Sequence, residues 1–281
     1  APKGAPRFDI SLQHLSSIGT DASAGSTGAE IVAYDRSTKR AFAINSQDND
    51  LAVIDLRDPA APVLVEKVPL DAYGAGLNSV DAHDGLVAMA VEASPKTDPG
   101  KVVFLDARTL AVRGAVTVGA LPDMLTFDDD GERVLVANEG EPVSYLPGAV
   151  NPEGSVSVID LSRGAARATV RTADFRAFNK EALLARGVRV FGPGATAAQD
   201  LEPEYITLKG RTAWVTLQEA NAVAVLDVPT ATITDILPLG LKDHSVPGNG
   251  LDPSDRDNAN LIGNWPVFGM YQPDAIASFR V

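Results

Sequence analysis

A chain of 281 residues is long enough for one large core, and its formal net charge of −13 argues against nucleic acid, where a basic footprint is expected. It contains no cysteine, which excludes disulfides, zinc–thiolate sites and cysteine nucleophiles, and its three histidines (His14, His83 and His244) are too scattered for an imidazole-based metal site. No apolar run approaches the ~20 residues a membrane helix needs, so no membrane span is expected.

Taken in order, the chain opens Ala1-Pro2-Lys3 without an initiator methionine, as an exported protein does after leader removal. It then repeats one phrase: a polar or acidic residue, an apolar strand, a turn, a second strand ending in Asn, Gln or Glu, and a third strand closing on Asp. The first unit, roughly 25–60, reads AEIVAYD, RAFAIN to Asn45, and LAVIDL to Asp55. The second, roughly 75–115, reads NSVDAHD, LVAMAVE to Glu92, and KVVFLDA through Asp106. The third, roughly 120–165, reads PDMLTFD, RVLVAN to Asn138, and SVSVIDL through Asp160. An insertion over roughly 166–199 carries one helical candidate, DFRAFNKEALLARG (174–187), with Asp at its start and Gly at its end. The fourth unit, roughly 200–235, reads PEYITLK, TAWVTLQ to Gln218, and AVAVLDV through Asp227. A second insertion, roughly 239–270, is rich in Gly, Pro, Asp and Asn, and PDAIASF then starts a fifth unit from 271.

Period-2 alternation and β-branched residues make these segments strands, and the DRSTK, DDDGE and LKGR turns have hairpin chemistry. A supersecondary unit recurring at about 45–50 residues is the signature of a β-propeller. The expected fold is therefore all-β: a single incomplete propeller domain spanning 1–281, with about four blades, the first strand of a fifth, and one short helix in an insertion. The last strand lacks a hairpin partner, and an open sheet edge is a liability. The chain thus reads as the N-terminal part of a larger ring, whose remainder is either a second chain made by cleavage or a segment this sequence does not include.

A propeller brings equivalent positions of every blade to one channel. Aligning the units puts Glu30, Ser79, Asp123, Glu204 and Asp274 at one such position, with Asn45, Asn138 and Gln218 from the second strands nearby. Carboxylates and amides in that arrangement offer the six to eight oxygens that Ca²⁺ takes, and close carboxylates need a cation or a proton between them. The competing reading is that these residues cap strand ends. The loop 137–154 adds Glu139, Glu141 and Glu153 among glycines, either as a second cation loop over the mouth or as a solvated acidic loop. Asp252, Asp255 and Asp257 form a second possible metal loop without EF-hand spacing, for which Asx-turns are the alternative. Trp265, Phe268 and Tyr271 precede Asp274, as a wall beside the channel or as packing.

The phrases GLVAMAVEASPKTDPGKVVFLD, VLVANEGEP, NPEGSVSVIDLS, AQDLEPEYITL, TDILPLGLKDHSVPGNGLD and GMYQPDAIASF resemble the choice-of-anchor I family over essentially the whole chain. The resemblance implies a secreted, periplasmic or cell-surface protein, usually longer than this chain. Members are often labelled alkaline phosphatase-like and are similar in outline to calcium-dependent propeller phosphatases and phytases. It implies no catalytic residue set. Two functions follow as expectations. One is a calcium-dependent phosphoester hydrolase, with Asp123, Glu204, Asp274, Glu139, Glu141, Asn138 and Glu30 as the metal set. The other is a non-catalytic surface scaffold for a protein, cell-envelope or glycan partner.

Overall fold

A computed structural model describes residues 11–19, 29–46, 48–146 and 148–279. The opening residues 1–10 and the start of the first unit at 25–28 lie outside the described residues. Among the described residues the chain forms four four-stranded antiparallel sheets, each with its strands in sequence order. Blade 1 is β1 (Ala29–Asp35), β2 (Arg40–Asn45), β3 (Asp50–Asp55) and β4 (Val63–Pro69); blade 2 is β5 (Gly76–His83), β6 (Leu86–Glu92), β7 (Pro99–Asp106) and β8 (Val112–Ala120). Blade 3 is β9 (Pro122–Phe127), β10 (Arg133–Asn138), β11 (Ser155–Asp160) and β12 (Thr169–Asp174); blade 4 is β13 (Pro203–Lys209), β14 (Thr212–Leu217), β15 (Ala222–Asp227) and β16 (Thr232–Pro238). This is the expected all-β propeller architecture.

The second and third strands of each blade read as apolar runs because both faces of each middle strand are covered. Phe42, Ile44, Leu51 and Val53 of blade 1 pack on Leu77, Val80, Val87, Met89 and Val103 of blade 2. Ala88, Ala90, Val102 and Phe104 carry the core on to Leu125, Val134 and Val136, and Leu135, Val156 and Val158 carry it into blade 4. Successive first strands pack directly on one another, β1 on β5, β5 on β9 and β9 on β13, which identifies them as the axial strands. Among the described residues no comparable packing joins β13 to β1, so the four blades form an open arc.

Each blade has a fourth strand that the three-strand phrase did not anticipate. Consequently β4 lies beyond the expected end of unit one near residue 60, and β12 occupies the start of what read as an insertion. The helical candidate 174–187 shrinks to α1 (Lys180–Ala185), capped by Asn179, whose side chain accepts from Ala182 N. Asp174 instead ends β12, where strand pairing with Ser155 outweighs the local helical signal. A second short helix, α2 (Ala197–Asp200), carries a Thr196/Gln199 capping box.

The Asp that closes each third strand holds the turn that follows it. Asp55 accepts from Arg57 N, Asp106 from Arg108 and Thr109 N, Asp160 from Ser162 N and Asp227 from Thr230 N. These turns all lie at one end of the blades. The three longest connections, 139–154, 175–202 and 239–272, lie at the opposite end, together with the 93–98 loop. The second insertion folds back as a ribbon of β17 (Leu241–Asp243) and β18 (Phe268–Met270). Asn221 fastens both its legs, donating to Gly240 O at 2.7 Å and accepting from Tyr271 N at 2.9 Å.

Candidate functional site

The axial strands are irregular at one place, their starts. The pairing of first and second strands slips between Ala29 and Val32, Leu77 and Ser79, Pro122 and Leu125, and Pro203 and Ile206. A β-bulge inserts one residue and re-aims a side chain. The slipped steps contain Glu30, Asn78, Asp123 and Glu204. Blade 2 therefore corrects the alignment by one residue: Asn78, not Ser79, is equivalent to Asp123. Ser79 is buried between blades, where its hydroxyl accepts from Leu125 N at 3.2 Å. The second strands shift likewise, since Asn45, Val91, Asn138 and Leu217 are equivalent and Ser46, Glu92, Glu139 and Gln218 are the residues that follow them.

Three starts share a backbone device. Leu121, Glu202 and Gln272 have φ of 47°, 37° and 44°, and each precedes a proline and then an acid: Asp123, Glu204 and Asp274. Non-glycine residues avoid the left-handed region, and a residue before proline is pushed toward extended geometry, so the repeat of this conformation is held by its surroundings. Residues 273–279 run beside β13 as β9 runs beside β5. Ser278 N donates to Thr207 Oγ1 at 3.0 Å, as Phe127 N donates to Asp81 Oδ2 at 2.9 Å. Asp274 thereby sits at the same height as Asp123.

The acids act on one another. Burial first, then Asp274 and Glu92, push the Asp123 carboxyl up to about 6. Glu139 is pushed up to about 9 by burial, then by Asp123, Glu141, Glu204 and Glu202. Glu204 rises to about 8 through burial, Glu219, Asp123, Asp274 and Glu202. Glu202, only 1% exposed, rises to about 7 through burial, offset in part by the Tyr145 hydroxyl that donates to it at 3.1 Å. Glu204 Oε2 and Glu219 Oε2 are buried without a hydrogen-bond partner. Gln218 donates to Asp274 Oδ1 at 3.1 Å, and Lys96, from the β6–β7 loop, forms an ion pair with Glu141.

Of the residues singled out in the sequence, Asp123, Glu139, Glu141, Glu204 and Asp274 come together. Glu30 keeps the equivalent position but is absent from the groups that act on Asp123, Glu139 and Glu204; its nearest hydrogen-bond contact is Ser46 Oγ at 3.5 Å. Asn138 is fully buried on another face, where its amide donates to Ser155 Oγ and Ser157 Oγ and its Cβ lies against Gly119. Glu153 pairs with Arg176. Asp252 and Asp257 accept from Ser254, Leu261 and Ala259 N–H groups, the Asx-turn alternative, and Asp255 lies 3.7 Å from Arg256 on the surface. Trp265 donates to Leu251 O within its own insertion. Sequence reasoning missed Glu202, Glu219, Tyr145 and Lys96. Glu202 was detectable, because the triplets Leu121-Pro122-Asp123, Glu202-Pro203-Glu204 and Gln272-Pro273-Asp274 align.

Among the described residues no three His, Cys, Asp or Glu side chains close on a single point as the ligands of one ion do. What the arrangement can do is attract a cation, since acids from two blades, a loop and the 273–279 segment lie near enough to raise one another's carboxyls.

The choice-of-anchor I domain model matches residues 30–281. The chain belongs to the choice-of-anchor I family. No protein of curated function matches the sequence. Among solved structures, hydrazine synthase of Kuenenia stuttgartiensis is similar with a TM-score of 0.53 at 14% identity, over 80% of this chain and 54% of that one. A protein from Lactobacillus plantarum gives 0.52 at 15% identity, over 75% and 57%. The Cps50 (Swd1) β-propeller domain of Myceliophteria thermophila gives 0.51 at 10%, over 77% and 60%. At these identities the likeness is one of fold, and this choice-of-anchor I chain spans a little over half the length of the structures it matches.

Proposed function

We propose that this choice-of-anchor I chain is part of a secreted or cell-surface propeller whose axial mouth binds a hard divalent cation, calcium by preference. The observation that carries the reading is the repeated left-handed turn before proline, which sets Asp123, Glu204 and Asp274 at one height with Glu139 beside them. An all-oxygen donor set suits Ca²⁺, which takes six to eight oxygens and tolerates irregular geometry. Asp123, Glu139, Glu204 and Asp274 would hold it, with Glu141 at the edge. The unpartnered oxygens of Glu204 and Glu219 fit the same reading. Export is supported by the family.

The arc needs further blades. Trp214, Val223 and Val225 of blade 4 occupy the places of Leu135, Val156 and Val158, which blade 4 seals in blade 3; in blade 4 the same face is only half-buried. We infer that the C-terminal remainder of the same propeller covers it, beginning with residues 273–279.

A bound cation would polarise a phosphoester and supply the chemistry of hydrolysis. The protein's own part would be to orient and partly desolvate the group at the mouth. One observation favours the non-catalytic scaffold: Lys96, the ammonium that reaches the mouth, is held by Glu141, so a substrate phosphate would compete with that ion pair. The test is equilibrium dialysis of Ca²⁺ on the full-length protein, with p-nitrophenyl phosphate turnover read in parallel. Asp123→Asn with Glu204→Gln is expected to weaken calcium binding at the mouth by about 100-fold, the effect of losing two charged ligands. Unchanged binding overturns the cation site. Turnover that follows calcium occupancy supports the hydrolase, and binding without turnover supports a scaffold for a protein, envelope or glycan partner.

A further inference from the structure

We propose that residues 11–19 are the outermost strand of the ring's last blade, and that they close the ring by pairing with a strand of the C-terminal remainder. The inference rests on the reading above that further blades complete the arc. The two ends of the arc differ. Trp214, Val223 and Val225 at the blade 4 end are half-buried. At the other end Ala41, Ala43, Ala52 and Ile54, on the face of blade 1 turned away from blade 2, are only 1% to 7% exposed. Ile18 packs on that face, together with Leu56 and Leu64 of blade 1 itself.

Position by position, this face matches the side on which blade 3 receives blade 2. Ala41, Ala43, Ile54, Leu56 and Leu64 occupy the places of Val134, Val136, Ile159, Leu161 and Val170. The blade 3 residues pack in one cluster with Val116 and Val118 of β8, the outermost strand of the blade before. Ile18 therefore fills on blade 1 the place that β8 fills on blade 3. A second contact recurs. Ser16 Oγ donates to Pro59 O, in the connection from β3 to β4, at 2.7 Å. In blade 4 the same connection takes Arg171 of β12, whose Nη1 donates to Pro229 O at 2.6 Å. In blade 3 it takes Gly114 of β8, so close that an added Cβ would lie 2.4 Å from Ala165 O.

What the segment lacks is a strand beside it. β4, β8, β12 and β16 each pair with the third strand of their own blade. Among the described residues no backbone group of 11–19 bonds to another backbone group. Ser16 and Ile18 are half-buried while Leu15, Ser17 and Gly19 are exposed, the alternation of a strand with one face packed. An open strand edge is a template for another strand, and main-chain pairing supplies the affinity. The occupant that the four blades specify is the third strand of the last blade, which belongs to the remainder beyond blade 4. Such a closure would hold the blades around the mouth against the repulsion among Asp123, Glu139, Glu204 and Asp274.

The experiment is residue-resolved hydrogen exchange on the full-length protein at several concentrations, with oxidative footprinting of Trp214 on the same samples. An outer strand pairs along one edge only, so every second amide between Gln13 and Gly19 is expected to exchange at least about 100-fold more slowly than its neighbours. That slowing should be independent of concentration, and Trp214 should be protected. Ile18→Asp is expected to abolish the slowing while leaving Trp214 protected. Free exchange throughout 13–19 with Trp214 protected overturns this closure and leaves the completed ring standing. Trp214 open to oxidation together with free exchange overturns both. Slowing that appears only as concentration rises means that a second copy of the chain takes the edge, which also overturns the proposal.

Discussion

Blades 2 and 3 both break strand pairing at the start of the axial strand, but they present different side chains there. In blade 2 the bulge residue is Asn78, whose amide donates to Glu92 Oε2 at 3.2 Å and to Pro122 O at 3.1 Å. One neutral side chain thereby satisfies the neighbouring acid and pins the start of the next blade. In blade 3 the bulge residue is Asp123 and the residue facing it is Glu139, so an acid meets an acid with no donor between them. Both carboxyls are pushed up, whereas the blade 2 acid, Glu92, accepts a hydrogen bond from the bulge residue. The bulge is therefore a structural device common to all four blades, and the chemistry resides in which side chain it presents.

The largest effect should come from relieving the blade 3 conflict. A carboxyl raised on folding binds protons more readily in the native state than in the unfolded one, so stability falls as pH rises from the ordinary carboxylate range toward the folded value. Calcium-free protein should accordingly lose stability between about pH 5 and pH 9. Glu139→Gln should flatten that slope and add about 2 kcal/mol at pH 8, whereas Glu92→Gln should change stability by less than about 0.5 kcal/mol. Urea unfolding across pH measures both. A Glu139→Gln slope as steep as wild type would break the comparison. Gly119→Ala should be next in size, because an added Cβ would lie 2.6 Å from the Asn138 Cβ. Overpacking of that kind costs about 1–3 kcal/mol, read as a lowered denaturation midpoint. The smallest change sharpens the contrast: Asn78→Asp converts blade 2 to an acid pair and should strengthen calcium binding at the mouth by about threefold, within what one added carboxylate supplies. Calorimetry at constant ionic strength reads that shift.

Much of this was legible in the chain. Period-2 strands, the closing Asp residues and the spacing of the units fixed the propeller, because each blade must bury the same faces against its neighbours. Asp123, Glu204 and Asp274 were visible as a set for the same reason, each following a proline at the start of a unit. The fourth strands were less so. β4 (VLVEKVP) and β12 (TVRTAD) lie at the outer edge, half exposed, and lack the apolar run that marks the middle strands. The misassignment of Ser79 has a different cause. A bulge adds one residue without changing composition, and Asn78 and Ser79 are both polar, so alternation cannot say which is extra. Asn138 looked like a ligand from its place at a strand end, but alternation across the sheet turns its side chain into the boundary between blades.

The sequence by itself determined the repeating unit, the all-β class and the acidic residues that begin three units, because strand periodicity and turn chemistry are local. Only the tertiary structure decided which acids share a space. That depends on bulges, on the left-handed residue before each proline and on loops that return from distant parts of the chain, and each of these places a side chain through contacts between residues far apart in sequence.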